Sequence, residues 1–290
     1  MGVRSRRLLA LSLFAGALLA LPPWASAQAA RSKRTARARS AGGVAVAKLV
    51  WMDQDIEGQA LAGGAWRRLR EGEAVRTGDR VRTAPEGVAR LEFPWMTVTL
   101  GPEATLSVPA SVVLSTVLEQ GRAEFAGAGR DIVKIEVAQA EIRGGGRLVV
   151  RREAGLTSAT ALEGSFRIAA EGRYVKIQAG EGTVVVDGKP PAFPAALPPA
   201  PKGLHPSRDP VYVRSGKPVE LRWERAGNTY HVAVLALRSE DVLLVRDAGR
   251  PPLRLVIPWL GTYRWRVSAR DGHGLESRPS ADGLLCVVER

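Results

Sequence analysis

From residue 76 to residue 187 the chain alternates between short apolar runs and glycine-bearing turns, and this rhythm constrains the fold more than any other feature. The runs lie at 80–83, 88–93, 97–100, 105–108, 112–117, 123–125, 132–137, 148–151, 158–162, 166–169, 174–177 and 183–186, with two earlier ones at 44–50 and 65–69. Between them sit Gly78, Gly87, Gly101, Gly121, the triplet Gly144 to Gly146, Gly164, Gly172, Gly180 and Gly182. Glycine reaches positive φ without a Cβ clash, which is what closely spaced strands need where they reverse. Turn signals every 8 to 12 residues or so predict an all-β sandwich or barrel-like fold. No stretch sustains the 3.6-residue apolar period of a helix. Each of these glycines is expected to end a strand. For Gly144 to Gly146, followed by Arg147, an anion nest is the alternative to a hairpin turn.

The N-terminus has the three zones of a secretory signal. Arg4, Arg6 and Arg7 precede an apolar stretch at 8–21, Pro22-Pro23 closes it, and small residues allow cleavage after Ala27 or Ala29. A spanning helix needs roughly 20 apolar residues, so the segment is expected to be cleaved, with an uncleaved anchor as the alternative. Ser5-Arg6-Arg7-Leu8-Leu9 partly matches a twin-arginine signal, but no cofactor motif follows that would require folding before export. The general secretory route is therefore favoured. Export points to the periplasm of a Gram-negative bacterium.

The formal net charge of +13 invites a nucleic-acid reading. Its distribution argues otherwise. Residues 31–40 hold five bases and no acid, residues 41–200 hold 19 of each sign, and residues 201–290 hold 15 Lys+Arg against 10 Asp+Glu. The 28–43 segment reads as a basic disordered spacer with at most weak contact to anionic surfaces. With Cys286 the single cysteine, no intramolecular disulfide forms. Its apolar setting predicts a small buried core residue.

Residues 190–201 (PPAFPAALPPAP) form a proline-rich segment within a linker at 188–206. Such a segment favours extended polyproline II, so it is expected to hold two bodies apart. Beyond it, seven apolar runs in about 80 residues predict an immunoglobulin-like sandwich over 207–290. The run 230–237 is apolar on both faces, with Leu235 and Leu237 opposite Tyr230, Val232 and Val234. That pattern predicts that the last domain packs against something.

The order of several segments resembles a FecR domain over 44–187. They are Gly78-Asp79-Arg80-Val81-Arg82-Thr83, Gly87 to Phe93, Val98-Thr99-Leu100-Gly101-Pro102, Leu118 to Phe125, Ala161 to Ile168 and Val175 to Gly182. Two places depart from the family pattern: the hairpin tip reads Pro94-Trp95-Met96, and the mid-domain step reads Gly144-Gly145-Gly146. The last domain resembles fibronectin type III, through Leu221-Arg222-Trp223 and the run from Tyr263 to Ser277. That resemblance implies a core Trp223 and a corner Tyr263 whose hydroxyl bonds back to the backbone. FecR regulators pair such a domain with a cytoplasmic anti-sigma segment and a membrane helix. Neither segment is read here, so the resemblance implies an exported interaction module rather than a regulator.

No catalytic, cofactor or metal site is expected. His205, His231 and His273 share no ligand spacing, there is no phosphate-cradling loop or nucleophile elbow, and Glu163, Glu171, Glu181 and Asp187 fall in separate turns. The candidate partner contact is Trp95 with Met96, at a hairpin tip where burial is difficult. Trp95 folding back over a sheet edge is the alternative. The expected function is that of a non-enzymatic envelope interaction protein binding an envelope protein or a cell-wall glycan. The alternative is a component of FecR-type envelope signalling relaying to a membrane partner. A role as accessory to a carbohydrate-active enzyme would need polysaccharide retention through Trp95.

Overall fold

The computed structural model describes residues 43–60, 63–110, 115–127 and 133–289. The expected signal peptide and nearly all of the basic spacer lie outside them. No helix forms among the described residues, and the protein is all-β.

The first module contains β1 (Ala45–Asp53), β2 (Ile56–Gln59), β3 (Arg67–Arg68), β4 (Ala74–Arg76), β5 (Arg80–Thr83), β6 (Val88–Glu92), β7 (Met96–Leu100), β8 (Thr105–Ser107), β9 (Ser115–Gly127), β10 (Val133–Val137), β11 (Ala140–Glu153), β12 (Leu156–Ala170), β13 (Arg173–Gln178), β14 (Glu181–Val186) and β15 (Ala195–Ala196). They join in one continuous sheet whose main path runs β15-β14-β12-β11-β10-β9-β7-β6-β1-β4. Alternation decides the inner face: in β7 Met96, Val98 and Leu100 are buried, and in β10 Val133, Ile135 and Val137 are. These meet Leu49, Leu91, Phe125, Leu148 and Phe166 in one core.

Five glycines expected to end strands instead lie inside long ones. Gly121 is within β9, Gly144 to Gly146 are within β11, and Gly164 is within β12. The nest and hairpin readings of the triplet are therefore both replaced. Gly146 and Gly164 face each other across β11 and β12 at φ 123° and 75°, beside a register shift between Arg147 and Leu148. A Cβ on Gly164 would lie 1.9 Å from the Gly145 carbonyl oxygen. Here glycine bends a paired ladder and lets it continue, as at a β-bulge.

The second module contains β16 (Val211–Arg214), β17 (Val219–Leu221), β18 (Thr229–Ala236), β19 (Val242–Ala248), β20 (Leu253–Leu255), β21 (Gly261–Arg270) and β22 (Gly283–Val288). A five-stranded sheet, β16-β22-β21-β18-β19, faces the pair β17-β20. Trp223 packs edge-on to Tyr230 at 5.2 Å and lies 6.3 Å from Trp265. Tyr263 donates from its hydroxyl to the Leu260 carbonyl at 2.9 Å, the corner geometry that the fibronectin type III resemblance implies. Tyr263→Phe removes that bond alone and is expected to cost about 1 kcal/mol, measured by urea denaturation. Cys286 is half-buried, because Leu285 and Val287 take the inward positions of β22. This corrects the expectation of a core cysteine.

The proline-rich segment does not hold the modules apart. Ala195 and Ala196 pair with Glu181 and Gly182 of β14, the Ala192 amide donates to Val184 O at 2.9 Å, and the Leu197 amide donates to Gly180 O at 3.0 Å. The segment is laid along a sheet edge that would otherwise expose unpaired backbone. Residues from Gly43 to the C-terminus form one compact unit with two cores.

Candidate functional site

The two modules meet along β19 and the turn at 271–278 of the second, set against β6, β9, β11 and β12 of the first. Two features shape this contact. β18 turns Tyr230, Val232 and Val234 into its own core and His231 and Leu235 the other way, and both of the latter are buried. The two-faced strand therefore packs against the first module of its own chain. Asp271 shapes the turn by accepting from the His273 and Leu275 amides at 2.9 Å each. Leu275 then sits over Gly182, where a Cβ would approach its Cδ2 to 2.9 Å.

Arg122 follows the bent Gly121 on β9 and reaches Glu276 in a bidentate pair, Nε to Oε2 at 3.0 Å and Nη2 to Oε1 at 2.8 Å. Both residues are buried, at 7% and 5% exposure. Ser268 donates to the same Glu276 Oε1 at 2.7 Å, and the Glu276 amide donates to Thr160 Oγ1 at 3.4 Å. Four more ion pairs cross the contact: Arg90 with Asp241, Arg246 with Glu86 at 2.7 Å, Arg151 with Asp247 at 3.3 Å, and Arg270 with Glu153 at 2.7 Å. Exposed pairs contribute little, so the buried Arg122–Glu276 pair dominates.

Burial opposes ionisation of Glu276, and the Arg122 guanidinium beside it more than offsets this, holding the carboxyl well below the usual carboxylate range. Burial likewise opposes the charge on Arg122, and Glu276 raises its pKa above the ordinary value. Asp247 is 49% exposed to the cleft. Its partial desolvation works against the charge, yet His231 Nδ1 at 2.8 Å and the two arginines nearby hold its carboxyl low as well. A carboxyl depressed in the folded state contributes stability above its unfolded pKa of roughly 4.3 and loses it as pH falls through the folded value. The chain is thus expected to melt at a markedly lower temperature at pH 3 than at pH 7. Glu276→Gln should shrink that difference, and equal pH slopes for wild type and variant would reject the assignment.

Beside this contact lies an open cavity of about 550 Å³. Its first-module wall includes Glu103, Arg151 and Arg152, and its second-module wall includes His231, Arg246 and Asp247. Glu103 adopts φ 51° at the turn after Pro102, a conformation unusual for a residue other than glycine. Arg151 Nη1 is shared between Glu153 and Asp247, while its Nε is buried without a protein partner. The cavity presents both signs of charge from both modules, a lining suited to a ligand with polar or zwitterionic character.

Trp95 and Met96 are not at this site. Trp95 is 7% exposed and packs on Phe93 at 5.5 Å between ring centroids, and Met96 is 1% exposed in the first core. The Phe93 amide donates to Met96 O at 2.8 Å, closing a turn tight enough to fold the indole back onto the sheet. This corrects their reading as an exposed partner contact. Trp66 lies under Arg82, whose guanidinium is 4.1 Å from the ring centroid. His205 and His273 are exposed and do not line the cavity. Of the cleft, sequence reasoning anticipated the second apolar face of β18. It did not single out Arg122, Arg151, Asp247 or Glu276. Among the described residues, no group of three His, Cys, Asp or Glu side chains could hold a metal, and no helix is long and apolar enough to cross a membrane.

No family model matches the chain and no curated protein matches its sequence. Among solved structures, two crystal structures of a "putative anti-sigma factor" from Parabacteroides distasonis ATCC 8503, at 2.50 and 1.65 Å resolution, are similar to it at TM-score 0.35 with 16% and 15% identity. They align with 40% of this chain, which spans 59% of their length. Titin domains A168–A170 are similar at TM-score 0.24 and 15% identity, over 83% of this chain and 98% of theirs. At these scores neither likeness bears on function.

Proposed function

We propose that this chain is a non-enzymatic interaction protein of the bacterial envelope, exported to the periplasm, in which a FecR-like module and an immunoglobulin-like module act as one body. Its partner is an envelope protein or a cell-wall glycan. The single observation that carries the reading is the docked pair of β modules around a cavity of mixed charge, since ligand sites concentrate at domain interfaces. The FecR-like segments and the signal-like N-terminus support the location.

The test is retention of partners from envelope extract at low and high salt, comparing wild type with Glu103→Arg. This substitution reverses an exposed charge on the cavity rim that has no ion pair among the described residues. A defined partner held by wild type at high salt and lost by the variant supports the reading. Equal retention by both, or none at high salt, overturns the cavity as the recognition site. Capture of a membrane-anchored regulator would instead favour the second reading, a component of FecR-type signalling, to which the FecR-like segments also point.

A further inference from the structure

On the outer face of the first module, four basic residues stand directly opposite one another across four adjacent strands. Lys134 of β10 is paired with Arg143 of β11, Arg143 with Arg167 of β12, and Arg167 with Lys176 of β13. The neighbouring residues on each strand point inward: Val133 and Ile135, Ile142, Phe166 and Ile168, and Ile177 are all buried. The four cations therefore project on the outer face. Adjacent strands lie about 4.8 Å apart, so the row spans roughly 14 Å.

Directly opposed like charges destabilise a sheet. At one end of the row the conflict is relieved: Lys134 meets Glu136 at 2.7 Å and Glu141 at 3.1 Å, and Arg143 meets Glu141 at 2.5 Å. At the other end it is not. Arg167 and Lys176 are exposed and have no carboxylate partner among the described residues. Tyr174 is one outward position along from Lys176, is 60% exposed, and takes the Arg167 guanidinium over one face of its ring at 3.8 Å. A merely solvated sheet face gains nothing from this arrangement, whereas a linear anion does. Its repeated charges would follow the row across the strands, and the open face of Tyr174 would take an apolar ring face.

We propose that the row Lys134-Arg143-Arg167-Lys176, with Tyr174, is a binding surface for a carboxylate-bearing polysaccharide. One sugar has about the length of one strand separation, so the carboxylates of a uronic acid chain repeat on the scale of the row, and the unneutralised pair Arg167 and Lys176 is where they are held. The open face of Tyr174 favours a sugar over a bare phosphate polymer. This deepens the glycan arm of the function proposed above and rests on that reading, but it uses a surface separate from the cavity.

The test is binding of the chain to sodium polygalacturonate, with dextran and duplex DNA as comparison ligands. Three variants are compared with wild type: Arg167→Glu/Lys176→Glu, Tyr174→Ala, and Lys217→Glu/Arg225→Glu. The last makes the same charge change at exposed sites on the other module. All these positions are exposed, and thermal melting confirms that each variant folds. The ladder variant is expected to bind polygalacturonate at least about tenfold more weakly than the control pair (a tenfold change being 1.4 kcal/mol), and Tyr174→Ala to weaken polygalacturonate more than DNA. Dextran should not bind. Equal loss in the ladder and control variants would show that net charge or the basic 31–40 segment is responsible, and would overturn the proposal. So would DNA binding as strong as polygalacturonate and insensitive to Tyr174→Ala. Either failure leaves partner retention at the cavity untouched, so the two readings are separable.

Discussion

Arg122→Ala is expected to lower stability by about 3–5 kcal/mol, the range found when one partner of a buried ion pair is removed. The reason is the charge left behind. Glu276 is 5% exposed, and its carboxylate would keep only the Ser268 hydroxyl as a hydrogen-bond donor. Without the guanidinium the main influence opposing burial is gone, so the carboxyl would titrate higher than in the wild type. The loss should appear in urea denaturation as a splitting of one transition into two, because the pair joins modules whose cores are otherwise separate. Arg122→Met/Glu276→Leu is expected to recover most of it, since replacing a buried pair with apolar residues of similar volume is often neutral or stabilising. An Arg122→Ala midpoint within about 1 kcal/mol of wild type would show that the exposed ion pairs and Leu275 hold the modules without it.

Trp265→Ala is expected to cost about 3–5 kcal/mol, the range for truncating a buried aromatic. Trp265 is fully buried at the centre of the second core. Its Nε1 donates to the Pro206 carbonyl at 3.0 Å, and its ring lies so close to Gly283 that a Cβ there would come within 2.1 Å of Nε1. Truncation therefore leaves a cavity beside Trp223 and also frees a carbonyl at the end of the linker. Trp265→Phe keeps much of the volume and loses only the indole hydrogen bond, so it should fall well short of the alanine variant. Calorimetry separates the two. Equal loss in both would mean that the hydrogen bond, not the packing, is what the tryptophan contributes.

Much of the fold was legible because it is written in local pattern. Alternation in β7, β10 and β21 names the inward residues directly, and spacing at two residues put Tyr263, Trp265 and Val267 on one face. The two-faced β18 was legible on the same grounds, whereas the corner tyrosine was implied only by the resemblance of the last domain to fibronectin type III. Less of the candidate site could be read. Arg122 and Glu276 are 154 positions apart, and each looks in isolation like a solvated charge. No periodicity relates them. Trp95 failed for a related reason: a hairpin tip is normally exposed, and only the placement of Phe93 shows which way the indole turns.

The sequence by itself determined that this chain is all-β, where most of its strands lie and which of their faces turn inward, because those properties depend on residues within a few positions of one another. Tertiary structure alone decided three things. Gly121, Gly146 and Gly164 bend strands instead of ending them, because a partner ladder continues past them. The proline-rich segment lies along β14 instead of spacing two bodies, because an open sheet edge satisfies its backbone. The two modules dock, because a buried guanidinium on one meets a buried carboxylate on the other, and neither charge could remain buried alone.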